Sequence, residues 1–232
     1  MTILSRKQRS EMFGAMFLHE PIPGISPEKP EMTIQVTKNG TRWGYAESVY
    51  GDASAEVSWD KFSTGPMHGW HLREAYARLW ELYSHLIVET RVTPESVAGI
   101  QADYIFTTIP ATATCLNWAH SFDSVNIVVI HGPSANEENV MWYNGSEALG
   151  MPQWYRYSRI NRYESWEFSE ARAPKQIPTD VLARGLRVSK GIKPLRTTCN
   201  CHPGVIRLGR FGKWDKHAFT HHAYKEVIDA LQ

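Results

Sequence analysis

Apolar residues recur along this chain with two different periods, and the switches between them mark out its elements. "TILS" is a very short apolar strand. The basic "RKQR" and then "MFGAMFLHEPIPGISPEKPE" follow it, and the prolines of that stretch exclude a long helix, so it is read as a loop. "MTIQVTKNG" alternates as a strand and ends on Asn39-Gly40, a hairpin signal that assigns "TRWGYAESVYG" to the returning strand. In "GWHLREAYARLWELYSHLI" the apolar residues fall three and four apart, which predicts one continuous helix over 70–86. Leu72, Tyr76, Leu79 and Tyr83 form its inward face, and Glu74 and Arg78 sit four apart on another face.

"IVET" and "SVAGIQADYIFTTIP" read as short strands, with "ATATCLNWA" turning away from the strand end. "SVNIVVIHG", "ENVMWYNG", "WYRYSRI" and "YESWEFSE" follow as four strands with turn residues between them, which predicts an antiparallel sheet. A short helix is expected over 179–187, "GVIRLGRF" as the last strand, and a final helix over 216–231. The order is a βα-type start, an antiparallel middle and a strand-helix end. It predicts an α+β sheet domain interrupted by a second lobe.

Composition adds bounds to this pattern. The 232 residues, 42% of them hydrophobic, suffice for a sizeable core. Lys plus Arg number 25 and Asp plus Glu 24, so the whole-molecule field gives no case for a nucleic-acid partner and any anion site must be local. No apolar run reaches the roughly 18 residues of a membrane span, and "MTILSRK" lacks a signal-peptide pattern, so a cytoplasmic location without membrane contact is expected. Three cysteines, Cys115, Cys199 and Cys201, cannot all pair, and reduced thiols are expected. Nine Trp and ten Tyr suggest a pocket lined with aromatic surface, although aromatic core packing is the plain alternative.

Two stretches carry candidate chemistry. In "MPQWYRYSRINRYESWEF", Arg156, Arg159 and Arg162 sit among Trp154, Tyr155, Tyr157, Tyr163 and Trp166. Strand alternation puts Tyr155 and Tyr157 on one face and Trp154, Arg156 and Ser158 on the other, so a guanidinium and an indole share a wall suited to a phosphorylated ligand; a solvated strand face is the plain alternative. In "RLGRFGKWDKHAFTHHAYKEVIDALQ", a glycine turn carries Arg210 and Lys213 into a helix N-terminus, an anion-accepting corner. "CNCH" at 199–202 with His217, His221 and His222 downstream tempts a zinc reading. Only one residue separates the two thiols, however, against two to four in structural sites, so no metal is expected. Nothing supports a nucleophilic Cys-His pair, and no catalytic residue is identified.

Several groups of residues, taken in order, resemble one superfamily. "ADYIFTTIPATATC" is similar to the strand and turn "aDxvisTiPa" of FAD-dependent oxidoreductases of the amine oxidase, protoporphyrinogen oxidase and UDP-galactopyranose mutase type. "MPQWYRYSRINRYESWEF" resembles the paired strands that lie across the substrate pocket in mutase-like members, and "RLGRFGKWDKHAFTHHAY" the C-terminal strand and helix that close over the flavin. "FGAMFLHEPIPG" and "GYAESVYG…SWDKF" resemble segments of bacteriophage-encoded members.

The resemblance implies an α/β-derived fold: a truncated FAD-binding, Rossmann-like sheet (1–30, 87–118 and 203–232) interrupted by an antiparallel substrate lobe (31–86 and 119–202). It implies FAD contacts from Ser5, Arg6, Thr108, Pro110, Gly209, Arg210, Gly212, Lys213 and Trp214, and substrate contacts from Trp154, Tyr155, Arg156 and Arg159. Family members open on a strand, a G-x-G-x-x-G turn and a helix, whereas here "TILSRK" matches their second strand, with Ser5-Arg6-Lys7 where the ribose-binding acid belongs. Roughly thirty residues of βα unit, with the cradle for the pyrophosphate, are then absent from this sequence; in the split-enzyme reading they lie upstream of Met1 or on another polypeptide. Two outcomes are expected: weak or absent FAD binding by this chain alone, and self-association or recruitment of a partner chain to cover the open sheet edge. The rival readings are a non-enzymatic nucleotide or nucleotide-sugar binding protein and one half of a split flavoenzyme.

Overall fold

The computed structural model describes residues 2–5, 14–16, 22, 24–25, 29–145 and 151–232. In chain order the strands are β1 (Ile3–Ser5), β2 (Ala15–Met16), β3 (Met32–Lys38), β4 (Gly65–His71), β5 (Ile87–Glu89), β6 (Ile105–Thr107), β7 (Phe122–Pro133), β8 (Val140–Gly145), β9 (Trp154–Ile160), β10 (Tyr163–Ser169), β11 (Arg187–Thr197) and β12 (Val205–Arg207). The helices are α1 (Arg42–Tyr50), α2 (Leu72–Tyr83), α3 (Pro94–Ala98), α4 (Ala111–Thr114), α5 (Thr179–Ala183), α6 (Gly209–Lys213) and α7 (Thr220–Leu231).

The chain is a mixed α+β protein built on an eight-stranded sheet of order β11-β7-β10-β9-β8-β3-β4-β2. Its ladders are antiparallel except β3–β8, where Gln35 faces Val140 in parallel register. β9 and β10 join through Asn161 (φ 54°) and Arg162 (φ 57°), the positive φ pair that a type I′ hairpin turn requires. Two further sheets are only parallel pairs: β1 with β5, and β12 with β6.

β7 carries the apolar run 127–130, whose alternate side chains meet apolar neighbours on the two faces of the sheet. On one face Ile130 packs with Trp154, Tyr157, Trp166 and Phe168 and with Val181 of α5. On the other, Ile127 lies against the cluster of Tyr155 with Tyr45 and Val49 of α1. β3 alternates as expected, with Met32, Ile34 and Val36 buried between exposed residues.

Three expectations are corrected. The stretch after Asn39-Gly40 is helix α1, not a returning strand, because Thr41 caps it by accepting the Gly44 N–H at 3.2 Å and Tyr45, Ala46 and Val49 then fall on one buried helical face. Gly40, at φ 67°, serves a close approach instead of a hairpin: a Cβ there would meet the Asn144 side chain at 2.8 Å.

The helix expected over 70–86 starts at Leu72, since Trp70 and His71 belong to β4, and a 3₁₀ turn replaces its end at Ser84–Leu86. Ala75 is its only buried residue, and Leu79 is 37% exposed. The spacing marks an amphipathic helix, but contacts decide whether its face is covered. Arg78 pairs with Glu81 at 3.9 Å in place of Glu74.

The final helix begins at Thr220, and the glycine turn before it folds as α6, which ends on Trp214 in the left-handed region (φ 55°). β11, a strand of mostly exposed residues, has no sequence counterpart among the predicted elements.

Trp166 is 1% exposed at the centre of the larger core, so Trp166→Ala is expected to cost about 3–5 kcal/mol in urea unfolding. Leu79→Ala should cost under about 1 kcal/mol. Equal losses at the two positions would contradict this assignment of the core.

Candidate functional site: a cationic, aromatic corner

The corner starts from a break in strand alternation. Asn144, at the end of β8, is held at φ 58°, a conformation Asn tolerates better than most residues. Its side chain fixes it there: Ser48 of α1 donates to its Oδ1 at 3.2 Å, and its Nδ2 donates to the Asn39 carbonyl at 3.2 Å. Across the ladder, Tyr143 faces Arg156 and Gly145 faces Trp154 in unshifted register, with no bridge at Asn144 and Tyr155 between them. Gly145 leaves room for the indole, since a Cβ there would lie 1.9 Å from the Trp154 ring. Trp154 accordingly turns to the Tyr157 side, ring centroids 5.9 Å apart, while Tyr155 joins Tyr45 on the α1 side at 6.2 Å. The expected grouping of Tyr155 with Tyr157, and of Trp154 with Arg156, is therefore corrected.

On the α1 side the groups converge. Arg156 of β9 lies opposite Glu167 of β10 and forms an ion pair with it, and the Tyr155 hydroxyl donates to the same carboxylate at 2.7 Å. From β11, the Lys193 ammonium sits 4.3 Å from the centroid of the Tyr155 ring. Arg210 arrives on α6, held by a hydrogen bond from Nη2 to the Lys216 carbonyl at 3.1 Å. The Lys216 ammonium lies 5.5 Å from the Tyr50 ring, at the end of α1.

The electrostatics are lopsided. Burial, and then the guanidinium charges of Arg156 and Arg210, hold the Lys193 pKa well below the ordinary lysine range. Burial followed by Arg156 also lowers Arg210. Burial raises the phenols of Tyr45, Tyr50 and Tyr155, so these rings stay neutral. Glu167 is engaged by Arg156 and Tyr155, and among the described residues no carboxylate or hydrogen-bond acceptor reaches the Lys193 ammonium. The Arg156 Nε is buried with no hydrogen-bond partner among the described residues. Cations outnumber carboxylates in an aromatic-walled corner, an arrangement that an anion with a ring attached would complement.

The remaining residues singled out in the sequence lie apart from this corner. Arg159, 8% exposed, donates from Nε to the Glu138 carbonyl at 2.9 Å and from Nη1 to the Tyr157 hydroxyl at 3.3 Å. Trp214 is buried against Phe122 and donates its indole N–H to the Asp123 carbonyl at 3.0 Å. Lys213 is paired with Glu226 at 2.5 Å. Thr108 and Gly212 are neighbours: a Cβ on Gly212 would sit 2.6 Å from the Thr107 carbonyl oxygen and 3.2 Å from the Thr108 Cα, so α6 is seated on the end of β6. Pro110 opens α4, Gly209 (φ 65°) opens α6, Ser5 ends β1 beside Glu89, and Arg6 is outside the described residues.

Lys193 and Tyr45 had no sequence signal, the one lying in a polar strand and the other in a helix misread as a strand. A second cluster, also unforeseen as a set, joins Cys115, His120, Cys199 and Cys201, whose ligand atoms lie within 4.8 Å of one another. His217 is elsewhere, exposed and 3.5 Å from Asp215, and the side chain of His221 is outside the described residues. Comparison of the chain with protein-family models, with curated proteins and with solved structures finds no match.

A lysine whose pKa is lowered by folding destabilises the protein fully below the folded pKa. The penalty fades as pH rises towards the ordinary value of 10.5, because the unfolded chain binds the extra proton in that window. Lys193→Met keeps the alkyl packing and removes the charge. Its melting temperature should exceed that of the wild type at neutral pH, with the gap closing as pH approaches 10.5. A variant less stable than wild type across that range would contradict a lysine destabilised by partial burial beside Arg156 and Arg210.

Proposed function

We propose that the chain is a flavoprotein-related domain of the amine oxidase and UDP-galactopyranose mutase type whose corner of Lys193, Arg156 and Arg210 binds a phosphorylated ligand, a nucleotide or nucleotide sugar. The observation that carries this reading is the half-buried Lys193 ammonium, stacked on Tyr155 near two guanidiniums, with Glu167 as the one carboxylate with them among the described residues. Phosphate oxygens would answer that excess of charge and the unpartnered Arg156 Nε, while the neutral phenol rings take the base or sugar.

The family part rests on the resemblance and on strand order. The "TTIP" strand β6 pairs in parallel with the C-terminal strand β12, and Gly212 of "GRFGKW" packs onto its end. The sequence holds no G-x-G-x-x-G turn, so FAD is expected to bind this chain weakly or not at all. Ligand capture is then the function of these residues, and oxidoreductase or mutase chemistry is the ancestral one.

A second reading, half of a split flavoenzyme, is favoured by one observation. Parallel strands occur almost only in larger, covered sheets, yet β1 and β12 each pair along one edge among the described residues. Leu79, Trp80 and Leu82 on α2 and Val88 on β5 are exposed nearby in the chain. A strand and helix from another polypeptide, or self-association, would cover these surfaces.

The test is absorbance of the purified chain, then calorimetry with FAD, UDP and a UDP-sugar. A colourless protein that takes UDP or its sugar, and FAD no more tightly than about micromolar, is expected. Arg210→Ala and Lys193→Met should each weaken nucleotide binding by roughly 1–3 kcal/mol, and Arg159→Ala should leave it unchanged. Stoichiometric FAD in a yellow preparation would overturn the weak-flavin reading, and failure to bind any nucleotide would overturn the corner's assignment.

A further inference from the structure

We propose that Cys115, His120, Cys199 and Cys201 form a structural zinc site that staples the loop after α4 to the loop between β11 and β12. The inference is independent of the ligand-binding corner. The four donors come from two segments far apart in sequence, and their ligand atoms already lie within 4.8 Å of one another. The His120 Nδ1 is 3.4 Å from the Cys115 Sγ and 3.6 Å from the Cys201 Sγ. Tetrahedral zinc, with Zn–S of about 2.3 Å and Zn–N of about 2.0 Å, requires S···N edges of about 3.5 Å and S···S edges of about 3.8 Å. The cluster therefore has the size of an ion's coordination shell. Three thiolates and one imidazole are a donor set that selects zinc among common divalent ions.

The surroundings have the form of an outer shell. The His120 ring turns its Nδ1 to the sulfurs of Cys115 and Cys201. The Leu116 N–H points to the Cys201 Sγ at 3.4 Å, and the Arg207 Nη2 lies 3.7 Å from the Cys199 Sγ. A backbone N–H and a guanidinium aimed at sulfur suit thiolates, and the guanidinium offsets the net negative charge of a site with three of them. A single residue between Cys199 and Cys201 is unusual for a zinc loop, but here Cys115 and His120 supply the other half from a different segment. Zinc entry would displace three thiol protons to solvent, leaving the ion bound by three thiolates and a neutral imidazole.

Arg207 also donates to the Thr114 Oγ1 at 3.0 Å, and the His202 Nε2 lies 2.9 Å from the Thr114 carbonyl. The staple would thus brace the β6–β12 pair, which has only three residues in each strand.

Metal analysis of protein purified without chelator, combined with alkylation of its thiols before and after exposure to a strong chelator, tests the proposal. One equivalent of zinc per chain is expected, with all three cysteines protected until the metal is stripped and a lower melting temperature afterwards. Refilling with cobalt should give the visible bands of a tetrahedral thiolate site. His120→Ala and Cys199→Ser should lose the stoichiometric metal; if neither folds, the thiol-protection result on the wild type decides. Protein without zinc that neither takes it up nor gains thermal stability from it would overturn the proposal. So would a disulfide joining two of the three cysteines.

Discussion

A half-buried ammonium gathered with two guanidiniums is the constraint around which this corner is arranged. Lys193 projects from β11, Arg156 from β9 and Arg210 from α6, and among the described residues Glu167 is the carboxylate that lies with them. Like charges brought together in a partly desolvated corner cost free energy, so the surrounding structure must hold them there. It does so through backbone. The Lys216 N–H donates to the Leu195 carbonyl at 3.1 Å, and the Trp214 indole donates to the Asp123 carbonyl at 3.0 Å. These bonds fix the segment after α6 against β11 and β7, and the Arg210 Nη2 bond to the Lys216 carbonyl ties the guanidinium to it.

A left-handed residue, Asn144, lies on the strand beside Tyr155. Its side chain is bonded by Ser48 and to the Asn39 carbonyl, so α1 both supplies Tyr45 to the Tyr155 cluster and ties down the end of β8.

Strands β3 and β7 to β10 were legible because their hydrophobic pattern and turn residues agree with their burial. The residues Tyr155, Arg156 and Arg210 were legible as types suited to an anion, though their meeting was not. Asn39-Gly40 misled because its glycine serves a close approach to Asn144, whose side chain also donates to the carbonyl of Asn39, 105 residues away in sequence. β11 stayed hidden because its residues over 187–192 are exposed and carry no alternation. Lys193 was invisible for the same reason: a lysine in a polar strand looks solvated until the fold closes over it. His120 carried no signal either, since only tertiary structure joins it to Cys199 and Cys201.

The central claim, that a half-buried cation crowded by two guanidiniums awaits an anion, is tested most directly by following the Lys193 side chain itself. NMR titration of carbon-labelled lysine, with Lys193→Met to assign the resonance, reads its protonation in free protein and in the presence of UDP. The account predicts a midpoint well below the ordinary 10.5 in the free protein and an upward shift, with proton uptake, when the nucleotide binds. An ordinary lysine titration that UDP leaves unmoved would contradict it.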